Sequence, residues 1–447
     1  MCLILTGSCR QLDACGREKD CKILARVFLA RRGKVKHAGS FFVTRRKKVS
    51  PMKRAWRILT ACAASLSFAV CTAVGVAGRL TCDSYRVLPG MSLSWNGGVL
   101  SAASPGSRAV ASYGEESKYE ADLMLFHAIP VKTVSVSVVE QKQVIPCGMP
   151  FGIKMFTDGV MVVGTAEIQT ESGLRNPAAE AGIQMGDIVE TVNGQDGNRN
   201  EEIAAIVEQS GGKPVLLNCL REGKSFSVSL LPAKSQADGL WKAGIWVRDS
   251  TAGIGTLTFY DPESQTFGGL GHGVCDTDTS ELMPFLNGEI MPVTISGVTK
   301  GQRGIPGELR GYFASEEAIG LMDANDEFGV YGSLYEPVQG ELVPVAFRQE
   351  AHPGSAQILT TVNGDGPQLY EVTLEHVDYN ESAEGKNLVL HVTDARLLEL
   401  TGGIVQGMSG SPILQDGKLI GAVTHVFVND PTRGYGIFIE TMLETMA

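Results

Sequence analysis

The sequence predicts a mainly β protein that follows one apolar N-terminal segment. Two observations favour β structure: 53 of the 447 residues are glycine, and short apolar stretches separated by Gly, Asp and Asn recur through the second half of the chain with hardly a helical period among them. A third observation is a run of uncharged, mostly apolar residues from Ile58 to Ala77, which predicts a membrane-spanning or signal segment. The length leaves room for two or three domains.

Charge divides the chain into a basic start and an acidic remainder. Residues 1–57, the basic N-terminal segment, hold 16 Lys and Arg against three acids, a net charge of +13, which leaves −23 for the rest of a chain whose total is −10. An acidic main body argues against nucleic acid as a partner. The ten cysteines are scattered without C-x-x-C pairs or ligand spacing, so neither a metal site nor a disulfide framework is predicted.

Residues 58–80 are predicted to be a transmembrane or signal-anchor segment. Basic residues stand mainly before this segment, so the positive-inside rule sends the chain after it across the membrane. The protein is then membrane-anchored, or secreted if the small residues near Ala77 mark a cleavage site. Met52 already begins a charged secretory start, so we expect residues 1–51 to be a mis-annotated extension. Binding of this basic stretch to anionic lipid or nucleic acid is the alternative.

Residues 81–135 contain turn-forming clusters, among them Pro89-Gly90 and Ser104-Pro105-Gly106-Ser107, and are interpreted as a linker. At most one short strand is expected in it. An exposed linker directly after a membrane segment is also the natural place for proteolytic release.

Residues 136–235 have the order of elements that is typical of a PDZ domain, and this part of the chain resembles one. The order comprises a strand at Gly159–Gly164, a short helix and turns within Asn176–Gly194, a helix at Glu201–Gln209, and a hairpin at Val215–Leu231 turning at Glu222-Gly223. The loop Phe151, Gly152 and Ile153 is predicted to present backbone N–H groups to a peptide carboxylate while the next strand pairs with the peptide. Alternatively, the PDZ-like fold only supports its neighbour.

Residues 236–447 are predicted to form a barrel or sandwich of short strands. Helix is expected only near Glu316–Leu321 and Glu440–Met446. The predicted strands share apolar, often β-branched composition: Ala243–Val247, Gly255–Tyr260, Gly288–Ile295, Leu342–Phe347, Gln357–Val362, Tyr370–Glu375, Asn387–Val392 and Lys418–Val428.

Two glycine-flanked residues in this last region have the surroundings that a nucleophile and a base require. Ser409 lies between Gly407 and Gly410, so its hydroxyl can be exposed on a tight turn, and the backbone N–H groups of Gly407 and Ser409 can converge on an oxyanion. His272 lies between two glycines and has no bulky neighbour to bury it. Taken alone, either motif is more often an ordinary turn.

The chain resembles the stage IV sporulation protein B family over roughly residues 55–447. The resemblance lies in the block from Thr401 to Glu440, the Gly-His-Gly motif around His272 and the PDZ-like segment. These proteins are secreted serine peptidases of spore-forming bacteria. The resemblance implies a C-terminal, chymotrypsin-like β-barrel-type serine peptidase domain, which is fold-level analogy, and an endopeptidase that needs no cofactor.

The resemblance also implies catalytic roles. Ser409 would attack the scissile carbonyl, His272 would act as general base, and Asp394 would orient the imidazole. Asp276 and Asp278 remain alternative acids. His425, on the strand that leaves the nucleophile turn, is expected to be a structural or cleft-wall histidine, with the role of base as its alternative.

The family's biology implies the substrates. The enzyme would cleave itself and a membrane-bound regulator in the space between the forespore and mother-cell membranes, and so trigger activation of a late sigma factor. The expected partners are protein substrates, a peptide ligand of the PDZ-like domain and the membrane. The rival interpretation is a non-catalytic, PDZ-bearing peptide-binding signalling protein, against which the complete set of Ser409, His272 and Asp394 argues.

Overall fold

The computed structural model of the protein describes residues 51–79, 81–91, 93, 100–103, 118–379 and 385–446. The expectation about residues 1–51 therefore concerns residues that, apart from Pro51, lie outside this description. The first described element is helix α1 (Pro51–Arg79). Its stretch Ile58–Gly78 is the one helical segment of the described chain that is long and apolar enough to cross a membrane, as a membrane anchor or a signal sequence does.

A small four-stranded sheet follows α1. Its order is β1-β4-β3-β2, with β1 parallel to β4. Alternation in β3 places Ala121 and Leu123 on a buried face, where they pack with Tyr85 and Val136. The prediction of a linker over 81–135 is therefore wrong, because alternating apolar residues here build a sheet. The strands are β1 (Ser84–Val87), β2 (Leu100–Ala103), β3 (Lys118–Leu125) and β4 (Ile129–Val138).

The next strands enter the main body of the molecule. They are β5 (Gln143–Pro146) and the long strand β6 (Pro150–Thr165). The PDZ-type elements come directly after β6 and form the sheet β12-β11-β9-β6. These elements are β7 (Ile168–Thr170), β8 (Gly173–Arg175), α2 (Pro177–Ala181), β9 (Ile188–Val192), β10 (Gln195–Asp196), α3 (Asn200–Gln209), β11 (Val215–Arg221), β12 (Lys224–Leu230), β13 (Ala233–Lys234) and β14 (Trp241–Lys242).

The PDZ-type elements match their sequence signals closely. Asn176 caps α2 by accepting from the Ala179 N–H, and Gly182 ends α2 with a φ of 83°. The β11–β12 hairpin turns at Glu222 and Gly223, as predicted. The apolar side chains of these elements form a core of their own.

A ring of six strands surrounds the next part of the core. Successive antiparallel pairings join β6 to β17, β19, β20, β16 and β15, and β15 pairs back with β6. A helix at Glu316–Leu321 is not found, because β19 already begins at Gly320. The further strands are β15 (Ile245–Asp261), β16 (Thr266–Gly269), β17 (Asn287–Thr299), β18 (Glu308–Phe313), β19 (Gly320–Asp326), β20 (Gly329–Leu334) and β21 (Val343–Pro344).

The second barrel is closed in the order β22-β23-β24-β27-β26-β25. Buried aliphatic residues such as Ile358, Leu390 and Val423 fill its interior. A short 3₁₀ helix, Arg348–Glu350, precedes it. Its elements are β22 (Gly354–Thr360), β23 (Gln368–Val377), β24 (Leu388–Val392), α4 (Ala395–Thr401), β25 (Pro412–Gln415), β26 (Lys418–Phe427), β27 (Asp430–Phe438) and α5 (Ile439–Thr445).

This connectivity differs from a simple succession of domains. Strand β6 precedes the PDZ-type elements and β15 follows them, yet both belong to the first barrel. The PDZ-type elements are thus an insertion in that barrel, and the predicted division into 136–235 and 236–447 cuts through it. A single strand, β15, consequently runs from the PDZ-type elements into the first barrel.

The predicted peptide loop is also placed differently. Phe151, Gly152 and Ile153 lie inside β6 and pair with β15 on one edge and β17 on the other. Both edges are therefore occupied, and no backbone is free to bind a peptide there. The prediction of a PDZ loop at these three residues is wrong.

Candidate active site

The turn that carries Ser409 depends on two glycines. Gly407 and Gly410 both have a φ of +95°, a region that residues with a Cβ rarely adopt. A Cβ on Gly410 would lie 2.0 Å from the Thr256 carbonyl oxygen and 2.6 Å from the Leu270 nitrogen. The turn can approach the first barrel only because this position has no side chain.

Strand β15 of the first barrel holds this turn of the second barrel. The Thr256 N–H donates to the Ser409 carbonyl at 3.0 Å, and the Thr256 hydroxyl donates to the Gly407 carbonyl at 2.8 Å. The buried Thr258 hydroxyl donates to the Gly410 carbonyl, also at 2.8 Å. Nothing in the sequence singles out these two threonines, because they look like any other residues of a buried strand.

The backbone N–H groups of the turn divide into bonded and free ones. Those of Met408, Gly410 and Ser411 donate to backbone carbonyls. Within the described residues, the N–H groups of Gly407 and Ser409 have no protein acceptor. These are the two groups predicted to bind an oxyanion, and they are available to do so.

His272 is positioned by an unusual backbone just after β16. Leu270 and Gly271 have φ values of +65° and +69°, and a Cβ on Gly271 would lie 3.1 Å from the Thr424 Cγ2 atom. The imidazole Nδ1 lies 2.8 Å from the Gly273 carbonyl oxygen. Because a carbonyl only accepts, Nδ1 carries the hydrogen and Nε2 is left as the proton acceptor. Desolvation lowers the pKa of His272, which keeps it neutral.

Ser409, His272 and His425 line one cleft of about 500 Å³ between the barrels. The Ser409 hydroxyl donates to the Thr424 carbonyl at 2.7 Å in this structure. It therefore has to rotate about its Cα–Cβ bond before it can donate to an imidazole. Side-chain rotation of this kind is fast and costs little compared with a chemical barrier.

His425 is the second imidazole of the cleft. Its ring centroid lies 4.9 Å from that of His272, with the planes inclined by 37°. The residue is exposed, and desolvation is the main cause that lowers its pKa to about 4. His425 is thus a neutral cleft-wall residue at physiological pH.

The walls of the cleft are otherwise uncharged and largely apolar. Among the described residues that line it, none is Asp, Glu, Lys or Arg, and the aliphatic ones are Ile153, Ile254, Leu270, Val274, Pro306, Ile404, Val405, Val426 and Val428. An uncharged, extended polypeptide is the kind of ligand that such walls accommodate.

Asp394 lies elsewhere. It is the N-cap of α4, accepts from the Arg396 N–H at 2.8 Å, and forms an ion pair with the Arg396 guanidinium at 2.7 Å. A further bond comes from the Glu371 N–H at 3.3 Å. The side-chain hydrogen bond from Arg396 is the main cause that lowers the pKa of Asp394 to about 2. No described contact joins Asp394 to His272, so its role as the orienting acid stays a prediction without support from these hydrogen bonds.

The alternative acids are engaged as well. Asp276 is buried, accepts from the N–H groups of Asp278 and Thr279, and pairs with Arg248. Asp278 binds the same guanidinium at 2.7 Å. These contacts fix the segment after His272 to β15, but the described hydrogen bonds join neither carboxylate to the imidazole.

A second cleft, of about 480 Å³, lies between α3 and the start of β15. Ile203, Ala204 and Val207 of α3 form one wall, and residues 245–247 form the other. Over these residues β15 pairs with β6 on one edge only. A helix beside an open strand edge is the arrangement in which PDZ domains bind peptides by β-augmentation. This cleft, and not the segment 151–153, has the form of such a groove.

Comparison with known proteins agrees with this architecture. Residues 239–443 match the family model described as SpoIVB peptidase S55, and residues 175–221 match a PDZ-domain model. Both matches support the resemblance to the stage IV sporulation protein B family that the sequence indicates. A crystal structure of Rv3671c from M. tuberculosis H37Rv, in the inactive form of a serine-to-alanine mutant, covers 43% of this chain and 80% of its own at 11% identity and a TM-score of 0.25.

Proposed function

This chain is a serine peptidase that carries an S55-type catalytic domain and a PDZ domain, and from that premise we propose that it is an endopeptidase whose catalytic pair is Ser409 and His272. The observation that carries this proposal is the shared cleft, in which the serine hydroxyl, a neutral imidazole and two unbonded N–H groups lie together. The apolar walls favour substrates with uncharged residues at the scissile bond.

The chemistry begins with rotation of the Ser409 hydroxyl away from the Thr424 carbonyl. Nε2 of His272 takes the hydroxyl proton as Oγ attacks the scissile carbonyl, and the oxyanion that forms accepts from the N–H groups of Gly407 and Ser409. The imidazolium then returns the proton to the leaving amine. Water repeats the sequence to release the acyl group.

Orientation of His272 is assigned to a backbone group. The Gly273 carbonyl holds Nδ1–H at 2.8 Å and thereby selects the tautomer in which Nε2 is the base. A carboxylate does the same in the Ser-His-Asp triad and also stabilises the imidazolium. Asp394 would have to leave Arg396 to take that part.

The biological role follows the family resemblance. We expect a membrane-anchored or secreted enzyme that acts outside the cytoplasm, in a spore former between the forespore and mother-cell membranes. Its substrates would be itself and a membrane-bound sporulation regulator, whose cleavage leads to activation of a late sigma factor. Helix α1 supports the membrane or secretory part of this proposal. The predicted release site within 81–135 falls partly on residues outside the described part of the chain.

The experiment is self-processing by the full chain in membranes. Wild type should release a soluble fragment whose new N-terminus lies within residues 81–135, and Ser409→Ala should remain intact unless active enzyme is added in trans. N-terminal sequencing identifies the cut. Release of Ser409→Ala at the same site without active enzyme would overturn the proposal and favour the rival, a peptide-binding protein without catalysis.

A further inference from the structure

Strand β15 lines both clefts. Residues 245–247 form a wall of the groove beside α3, and Thr251, Gly253 and Ile254 line the catalytic cleft. From Gly255 onward the strand is buried, whereas the residues before it are exposed or half-buried. The two clefts are therefore successive stretches along one strand.

The edge of β15 that faces away from β6 has no strand pairing in this stretch of the described chain, and the contact beside it is the ion pairing of Arg248 with Asp276 and Asp278 between the two clefts. Its pairings with β16 and β5 begin only at Leu257 and Phe259. In the described chain, no strand pairs with the second edge of residues 245–254. An open edge of this length offers backbone donors and acceptors to an added strand.

We propose that one extended segment of the substrate occupies both clefts at once, pairing along β15 from Ile254 to Ile245. This rests on the proposed peptidase function. The unpaired edge of β15 leads into the cleft that holds Ser409, because the Thr256 N–H of the same strand donates to the Ser409 carbonyl. The occupant is thus the polypeptide being cut.

The geometry sets the distance between the scissile bond and the docking residues. From Ile254 to Ile245 there are nine residue steps, which span roughly 30 Å at about 3.4 Å per step. Irregular register near Trp246 and Arg248 shortens this somewhat. Docking residues should therefore lie about eight to ten positions from the scissile bond.

Direction follows from the pairing type. β15 pairs antiparallel with β5, β6 and β16, and antiparallel pairs are the commoner kind. A substrate strand that runs antiparallel to β15 leaves the catalytic cleft toward Ile245. The docking residues then lie on the C-terminal side of the scissile bond.

The groove also indicates the chemistry of these docking residues. Its walls present Ile203, Val207 and Ile245. Of the three charged residues that line the groove, Glu208 accepts from the Trp241 N–H, Lys242 pairs with Asp238, and Glu167 is exposed at the rim. Apolar side chains of the substrate fit this groove.

The test uses quenched fluorescent peptides and the full chain in detergent. All peptides share one cleavable stretch, and an apolar docking segment is placed about three, six, nine or twelve residues after it, or about nine residues before it. We expect kcat/KM to be at least about tenfold higher for the nine-residue C-terminal spacing than for a peptide without the segment. Equal kcat/KM across the series, or a preference for the N-terminal placement, would overturn the inference.

A matched pair of variants locates the effect. Ala204 and Ala205 are both exposed on α3, but only Ala204 lines the groove. Ala204→Trp should abolish the advantage of the peptide with the nine-residue C-terminal spacing. It should leave the kcat/KM of the peptide without a docking segment unchanged. Ala205→Trp should change the kcat/KM of neither peptide. Equal slowing of both peptides in Ala204→Trp would contradict a docking role. If a serine-directed fluorophosphonate does not label wild type, the peptidase proposal itself fails.

Discussion

Asp394→Asn separates the role that resemblance implies from the role that the contacts indicate. Asparagine retains an oxygen that can cap α4 and accept from the Arg396 N–H, but it loses the charged pair with the guanidinium. The Arg396 side chain is 62% exposed. An ion pair of this kind contributes about 1 kcal/mol or less to the free energy of unfolding. We expect a loss of that size and a change in kcat/KM of less than about threefold.

An acid that orients the imidazole would behave differently, because the corresponding Asp→Asn change in a Ser-His-Asp enzyme lowers kcat by about 10⁴-fold. The assay is peptide hydrolysis together with urea unfolding of wild type, Asp394→Asn, Arg396→Gln and the double variant. The stability effects should be coupled between the two sites. A folded Asp394→Asn that loses about 10³-fold or more in kcat, while Arg396→Gln remains active, would refute this reasoning and restore Asp394 to the catalytic unit.

The remaining predictions concern the turn, its support and the base. Gly410→Ala should lower kcat by about 100-fold or more, because its Cβ meets the Thr256 carbonyl oxygen and misplacement of about 1 Å is that costly; near-normal hydrolysis would contradict the backbone contact. Thr256→Val, which removes the hydroxyl bond to Gly407, should lower kcat more than KM; an effect confined to KM would argue against support of the oxyanion site. Because desolvation lowers the pKa of His272, the acid limb of kcat/KM should fall below the ordinary histidine value of about 6.5; a limb above it would exclude this neutral base. The stability that the Asp394 carboxylate contributes should be complete above about pH 4 and vanish toward pH 2, since its pKa is lowered; a loss already complete at pH 5 would contradict the pairing.

Local chemistry predicted many of the elements. The short helix after Asn176, the Glu222-Gly223 turn and the C-terminal helix, predicted at 440–446 and found at 439–445, all rest on signals within a few residues of one another. Ser409 likewise lies on a tight turn between glycines, and the N–H groups of Gly407 and Ser409 have no acceptor among the described residues. Such features depend on backbone preferences that are written into the sequence itself.

Long-range pairing explains what the sequence did not reveal. The sequence from Phe151 to Ile153 predicts a loop, but β15 pairs with one edge of this segment and β17 with the other. Both partners lie about a hundred or more residues away along the chain. The insertion of the PDZ-type elements into a barrel could not be predicted for the same reason, because it depends on the pairing of β6 with β15 across the whole inserted segment. Asp394 resembles a family acid by position, whereas its observed partner is only two residues distant.

Labelling by a fluorophosphonate, followed by mapping of the modified peptide, tests the assignment of Ser409 and His272 most directly. The account predicts a single label on Ser409 in wild type, a comparable labelling rate in His425→Ala, and a rate lower by about 100-fold or more in His272→Ala. Circular dichroism of each variant would confirm that it is folded. Labelling that depends on His425 and persists in a folded His272→Ala, or a label on any other serine, would contradict it.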